Sequence, residues 1–397
     1  MNVPKLRFPE FSGEWEEKKL SEFMTRLTRK NTNNESSRAL TISSVDGLID
    51  QGEFFKKQVA SKDISGYYLL KKGDFAYNKS YSVGYDYGSI KRLDRYENGV
   101  VSTLYICMTL NEGINSDYLT HYFDSMKCNK SVSEISAEGA RNHGLLNIPT
   151  DAFFETKHYL SPFLPEQQKI ADFLSTVDSI IASETKILNA LQKKALMQKL
   201  FSQQIRFKAD DGSEFPEWEE RKLGDFCTTF SGGTPKSGTS EFYNGNIPFI
   251  RSGEIESDST ALFLSELGIK NSSAKIVYKG DLLYALYGAN SGLCAISKIE
   301  GAINQAILCI QTKENNVFLC NYLKSQREYF YSTFLQGGQG NLSGKLVESY
   351  IIPLPCKEEQ QKIADCLSSM DSLIENQQKI LTTWQQRKKA LLQQMFV

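Results

Sequence analysis

The chain has 397 residues, 40% of them hydrophobic and 23% charged, with a formal net charge of −1. That is an ordinary globular composition and enough length for two to four domains. The near-zero charge excludes a globally basic nucleic-acid binder, so any polyanion site must come from local clustering.

The N-terminus, "MNVPKLRFPEF", has no apolar signal core, and no run of about 18 apolar residues occurs anywhere. The expectation is a cytoplasmic protein with no membrane partner. The eight cysteines form no C-x-x-C pair and the three histidines no i,i+4 pair, so free thiols and no metal site are expected.

In chain order, a short Trp-containing lead-in, "WEEKKLSEF" (15–23), opens a first body that runs to residue 160. Apolar runs such as "VVSTLYICMTL" (100–110) read as strands and "SDYLTHYFDSMK" (116–127) as a helix, which makes the body mixed α/β. Residues 161–203 read as one long helix. Its apolar positions Ile170, Leu174, Val177, Ile181, Leu188, Leu191 and Ala195 follow a heptad seam, and Pro165 sits near its start. A second lead-in, "WEERKLGDF" (218–226), opens a second body within 204–355. There "AINQAILCIQT" (302–312) reads as a strand and residues 315–334 as a helix. Residues 356–397 give a second long helix with the seam Ile363, Leu367, Met370, Ile374, Leu381 and Trp384.

The two halves repeat each other. "EQQKIAD" occurs at 166–172 and again at 359–365, Arg7-Phe8 returns as Arg206-Phe207, and "KKGDFAY" (71–77) is echoed by "YKGDLLY" (278–284). After a slip of two residues, "KKALMQKLF" (193–201) aligns with "KKALLQQMF" (388–396). Each helix is acidic in its first half and basic in its second, which sets acid against base only if the two run antiparallel. The seam is interrupted once per helix, at Glu184 and Gln377. Side by side in an antiparallel pair, these two would fix the register. A helix of about 36 residues is roughly 54 Å long. The fold expected is therefore α/β (α+β): two pseudo-symmetric globular domains, each followed by a long helix, with the helices packed as an antiparallel coiled coil.

This pattern resembles the specificity (S) subunits of type I restriction–modification systems. The resemblance rests on two variable bodies, a following helix with "EQQKIA" in each half, "SGGTP" (231–235) with "IPFI" (247–250), and "GNLSGK" ahead of "IPLP". The first body departs from it, having "RKNTNNESSRALTISSVDG" (29–47) where the second has GGTP. The resemblance implies that each body is a target-recognition domain reading one half of a split, asymmetric sequence in double-stranded DNA. It implies that the helices are a spacer that helps dock two methyltransferase (M) subunits, and that restriction (R) subunits join them. S-adenosylmethionine, ATP and Mg²⁺ would be bound by those partners and no cofactor by this chain.

Reading base edges needs Arg, Lys, Asn, Gln, Ser or Thr on loops, with tyrosines able to stack. In the first body the candidates are Arg29, Lys30, Arg38, Lys79, Tyr81, Tyr85, Arg141 and Asn142; in the second they are Thr234, Lys236, Arg251, Ser252, Asn290, Gln339 and Asn341. Asn304 and Gln305 could be readers or structural. Gln168 and Lys169, with Gln361 and Lys362, recur identically and are candidates for docking the M subunits. No residue is a candidate for catalysis: the Asn/Asp-Pro-Pro-Tyr/Phe element of amino-methyltransferases is missing, "GGQGNLSGK" has Gln339 where the P-loop needs its first glycine and Leu346 where it needs Ser or Thr, and no dinucleotide fingerprint occurs. The competing readings are a structural adaptor joining two protein-binding domains through a rod, and an enzyme whose site has no recognisable motif.

Overall fold

The computed structural model describes residues 2–55, 60–61, 63–136, 146–334 and 341–397. Two compact units form, one from Met1–Lys186 with Lys379–Val397 and one from Ile187–Gln378. The units divide inside the long helices, whereas the sequence segments 1–160, 161–203, 204–355 and 356–397 separate bodies from helices.

In the first unit the strand Glu16–Lys19 pairs antiparallel with Lys157–Leu160, which closes the body at its two ends. A four-stranded antiparallel sheet follows in the order Met24–Arg26, Ile106–Leu110, Phe75–Asn78, Ser89–Arg92. Two further pairs join Leu40–Ser43 to Gly47–Asp50 and Tyr68–Lys71 to Asn98–Val101. Alternation along Phe75–Asn78 supplies two cores, as period-2 side chains must. Phe75 and Tyr77 join the helix Ser116–Asp124 and the long helix, while Ala76 joins Leu40, Leu70 and Val101 on the other face.

The second unit repeats this topology. Glu219–Lys222 pairs with Ile351–Leu354, and the four-stranded sheet runs Cys227–Ser231, Ile307–Thr312, Leu282–Ala285, Cys294–Ile296. The smaller strands gather into one sheet, Phe263–Leu264, Ile247–Ile250, Gly301–Ile303, Lys275–Val277. Its parallel step, Phe249 beside Ala302, has a single-bridge counterpart in the first unit, Ala39 beside Val100.

Three sequence readings are refined. The runs 100–110 and 302–312 each split into two strands that belong to different sheets, because Ser102–Tyr105 and Asn304–Ala306 form connecting loops. Residues 315–334 form two helices, Asn316–Ser325 and Arg327–Phe334. The first long helix is broken, running Leu164–Ala190 and then Lys193–Phe201, whereas the second is continuous over Lys357–Met395.

The break has a sequence cause. Between the matching segments the first copy is two residues shorter than the second. Two residues turn an α-helix by about 200°, so a continuous helix could not hold both apolar faces inward. Unwinding at Leu191–Gln192 restores the second face: Met197, Leu200 and Phe201 enter the second unit's core, as their counterparts Leu392, Met395 and Phe396 enter the first unit's.

Within each unit the two helical stretches run antiparallel. In the first, Asp178 pairs with Lys388 at 2.6 Å; in the second, Asp371 pairs with Lys193 at 2.6 Å. These are equivalent bridges, each joining an acidic first half to a basic end, in agreement with the charge asymmetry of the sequence. Glu184 belongs to the first unit and Gln377 to the second, and both are half-buried; their role in setting register stays a proposal. No helix among the described residues is long and apolar enough to cross a membrane.

Candidate nucleic-acid interface

Strand order decides which loops share an edge. In the first unit, Met24–Arg26 ends, Phe75–Asn78 ends and Ile106–Leu110 begins at the same end of the four-stranded sheet. Loops 27–39, 79–88 and 102–105 therefore emerge together. The equivalent loops of the second unit, 232–246, 286–293 and 304–306, do the same. A further matching bond ties another segment to this end in each unit: Leu146 N–H donates to Lys79 O (2.9 Å) and Leu342 N–H to Leu286 O (2.8 Å). Thus the topology brings together candidates that are far apart in sequence. Arg141, Asn142 and Gln339 lie outside the described residues.

In the first unit the candidates divide by what already holds them. Arg29 is exposed but already paired. Its guanidinium donates to the buried Asp74 carboxylate at 2.6 Å and to Leu69 O at 3.1 Å, which ties an exposed arginine to the body. Lys30 donates to Gly66 O and lies 3.7 Å from the Tyr68 ring centroid. Arg38 stacks on Tyr96 at 4.0 Å, with Asp50 3.8 Å away. Tyr85 closes a turn, its N–H donating to Ser82 O at 2.8 Å. Lys79 lines a small cleft with Arg26, Thr103, Leu104 and Tyr105, and has no ion-pair partner among the described residues. Tyr81 is exposed.

The second unit shows why "SGGTP" is written as it is. A Cβ on Gly232 would lie 1.8 Å from Ile303 O, and one on Gly233 2.0 Å from Ser273 Oγ. The glycines permit close backbone approach, with Gly233 N–H donating to Ile303 O at 3.2 Å, and neither is in the left-handed region a tight turn would require. Pro235 is buried and its carbonyl accepts from Tyr243 Oη. What remains outward is Thr234, donating to Gln305 Oε1 at 2.6 Å, and Lys236. Asn304 is structural, its Oδ1 accepting from Ala306 N–H.

Arg251 is likewise exposed and paired. It makes a two-pronged pair with Glu254, 3.0 Å on each prong, and these hydrogen bonds hold the Glu254 carboxyl below its ordinary range. The Arg251–Glu254 turn instead presents Ser252 and Gly253 close to Asn290, whose Nδ2 would lie 3.4 Å from a Cβ on Gly253. Asn341 is exposed.

The docking candidates have partners inside their own units. Gln168 Oε1 accepts from Asn115 Nδ2 and Gln361 Oε1 from Asn315 Nδ2, and each glutamine donates to the aspartate four residues on, Asp172 or Asp365. Lys169 pairs with Glu10, and Lys362 with Asp210. Their identity across the copies goes with matching contacts inside each unit, and their docking role stays a proposal.

The rest of the repeated word works the same way, and the sequence reading missed it. Glu166 and Glu359 have no solvent exposure, and each is clamped by an arginine of its own lead-in. Arg7 reaches Glu166 at 2.6 and 2.9 Å; Arg206 reaches Glu359 at 3.1 and 2.9 Å. Buried Gln167 and Gln360 accept from the backbone N–H of Asn115 and Asn315, which cap the following helices. The recurrence of Arg7-Phe8 with Glu166 as Arg206-Phe207 with Glu359 was the available signal. The described residues contain no group of three or more potential metal ligands.

Two units of one topology, each with loops gathered at one sheet end and a helix clamped beneath, define a duplicated module. Residues 216–383 match the family model for the type I restriction modification DNA specificity domain. The chain as a whole is similar to the specificity subunits of type I restriction enzymes. It is 28% identical over 294 residues to the putative type I restriction enzyme MjaX specificity subunit of Methanocaldococcus jannaschii, covering 69% of this chain and 65% of that one. It is 27% identical to the EcoR124I/EcoR124II specificity subunit of Escherichia coli over 52% of each chain. The matched stretches thus span less than two-thirds of these relatives' lengths. The type I restriction–modification S subunit from M. genitalium has the same fold, with TM-score 0.59 and 15% identity over 100% of this chain and 99% of that one. The HsdS subunit from Thermoanaerobacter tengcongensis matches with TM-score 0.52 and 18% identity, over 100% and 99%.

Proposed function

We propose that this chain is the non-catalytic, sequence-reading subunit of a cytoplasmic type I restriction–modification complex. Each unit reads one half of a split, asymmetric DNA target, and the helices between them set the gap. Two methyltransferase subunits dock on it and restriction subunits join, with S-adenosylmethionine, ATP and Mg²⁺ bound by those partners. The observation that carries the reading is one topology present twice, with chemically different loops at the same sheet end. That is what two readers of unlike half-sites need, because positioning contacts can be common but base contacts must differ.

Lys79, Tyr81, Lys236, Ser252, Asn290 and Asn341 are the contact residues this reading favours. For M-subunit docking it favours the helix faces over the repeated glutamines and lysines. Phe173, Ile180 and Ile187 step by seven, as do Cys366, Leu373 and Ile380, and all six are exposed or half-buried. Regular apolar stripes left in solvent suit a partner helix.

Mapping methylated adenines in host DNA with and without this gene tests the proposal. Loss of one split motif on deletion is the expected result, and an unchanged map overturns it. Absence of salt-dependent DNA binding by the assembled complex would favour the adaptor reading.

A further inference from the structure

Resting on that reading, we propose that the two units recognise their half-sites by different chemistry. The first reads mainly by apolar contact with thymine methyl groups, the second mainly by hydrogen bonds.

Three loops of the first unit carry the proposal. The hairpin turn 44–46 presents Val45, 83% exposed; the loop 79–88 presents Tyr81 at 56% and Val83 at 92%; the loop 102–105 presents Leu104 at 61%. Isolated exposed apolar side chains need no explanation, but four gathered at one end of a unit do. They are gathered by bonds and by topology. Ser44 Oγ lies 3.0 Å from Ser82 Oγ and 3.1 Å from Ser89 Oγ, which fastens the first loop to the second. Leu104 lines the same cleft as Lys79, the residue that opens the second loop.

The turns themselves are braced, so the side chains are held out. Ser43 Oγ donates to Asp46 Oδ2 at 2.8 Å, and the Ser82–Tyr85 turn has Gly84 at φ +81°.

The second unit places polar groups in the same three loops. Opposite Val45 stands the Arg251–Gly253 turn with Ser252, opposite Val83 stands Asn290, and opposite Leu104 stands Gln305, bonded to Thr234. Asparagine, glutamine, serine and threonine can exchange hydrogen bonds with base edges in the major groove. Valine and leucine cannot, and the apolar group a base offers there is the thymine C5-methyl. Loops of equal topology that put Val45, Val83 and Leu104 outward in one unit and Ser252, Asn290 and Gln305, beside the part-exposed Tyr287, in the other therefore fit half-sites of different composition, with thymines on the edge facing the first unit.

The test uses the full chain in its assembled complex and the split target located by the methylation map. Thymines of one half-site at a time are replaced by deoxyuridine, which lacks only the methyl group, and equilibrium binding is measured. In one half-site each replacement is expected to weaken binding by about fourfold, the effect of one buried methyl-sized group. In the other half-site the change stays below about twofold. The surface substitutions Val45→Ser, Val83→Ser and Leu104→Ser should abolish the deoxyuridine effect while the thermal midpoint of the complex stays unchanged. Insensitivity to deoxyuridine in both half-sites, a sensitive half-site unaffected by the three serines, or half-sites without thymine would overturn this inference and leave the DNA-recognition role standing. A methylation map with no split motif would instead remove the role itself.

Discussion

Glu166 and Glu359 are charges held out of water, and their partners decide whether the modules stand. Removing one side of a buried, two-pronged pair leaves an uncompensated charge and costs about 3–5 kcal/mol. Glu359→Ala also removes the acceptor of the Trp218 indole N–H at 3.0 Å. Urea unfolding should show that Glu166→Ala and Glu359→Ala each destabilise the unit they belong to by about that much; changes under about 1 kcal/mol would show that the clamps are incidental. The histidines distinguish the units. All three lie in the first body's sequence, and Asn321 of the second unit occupies the place of His121. Burial pushes His158 down to about 4, between Tyr122 Oη at 2.9 Å and Thr156 Oγ1 at 2.8 Å, and pushes His121 down as well. A neutral buried histidine binds its proton less readily than the unfolded chain does. Its contribution is therefore complete above about pH 6.5 and lost as pH falls towards 4, amounting to about 3 kcal/mol for His158. Calorimetry between pH 7.5 and 4.5 should show the first unit's transition falling selectively; His158→Gln should reduce that pH dependence.

At the scale of elements, the broken helix gives the sharpest expectation. Inserting two alanines after Leu191 returns the first copy to the spacing of the second, so the helix can continue with Met197, Leu200 and Phe201 still facing their core. Inserting one alanine rotates that face by about 100°. Far-UV circular dichroism should show increased helicity for the two-residue insertion, and the single insertion should lower the thermal midpoint more. Equal damage from both would mean that the break has another cause. The glycines of "SGGTP" act at this scale too. Gly232→Ala places a methyl against the Ile303 carbonyl, so the loop must shift and its outward residues, Thr234 and Lys236, move with it.

At the scale of the whole molecule, a net charge of −1 makes DNA binding a matter of where the lysines stand. A complex that reads duplex DNA should lose affinity steeply with salt, and Lys79→Ala and Lys236→Ala should each reduce the slope by about one if each neutralises a phosphate. The duplication, the helices with their acid-to-base polarity and the mixed α/β bodies were legible in the sequence, because heptad spacing, repeated words and charge runs are local patterns that survive without coordinates. The reading residues were legible only as residue types. Only the structure shows that Arg29 and Arg251 have Asp74 and Glu254 as partners, and that Gln168 and Lys169 bond to Asn115 and Glu10 within their own unit.

The sequence by itself determined that one module is written twice and that its two helical ends carry opposite charge. Tertiary structure alone decided which arginines have carboxylate partners, which loops share a sheet end, and that valines stand in one unit where polar residues stand in the other. The reason is that a side chain's partner is chosen by strand order and burial, and both bring together residues that the sequence keeps far apart.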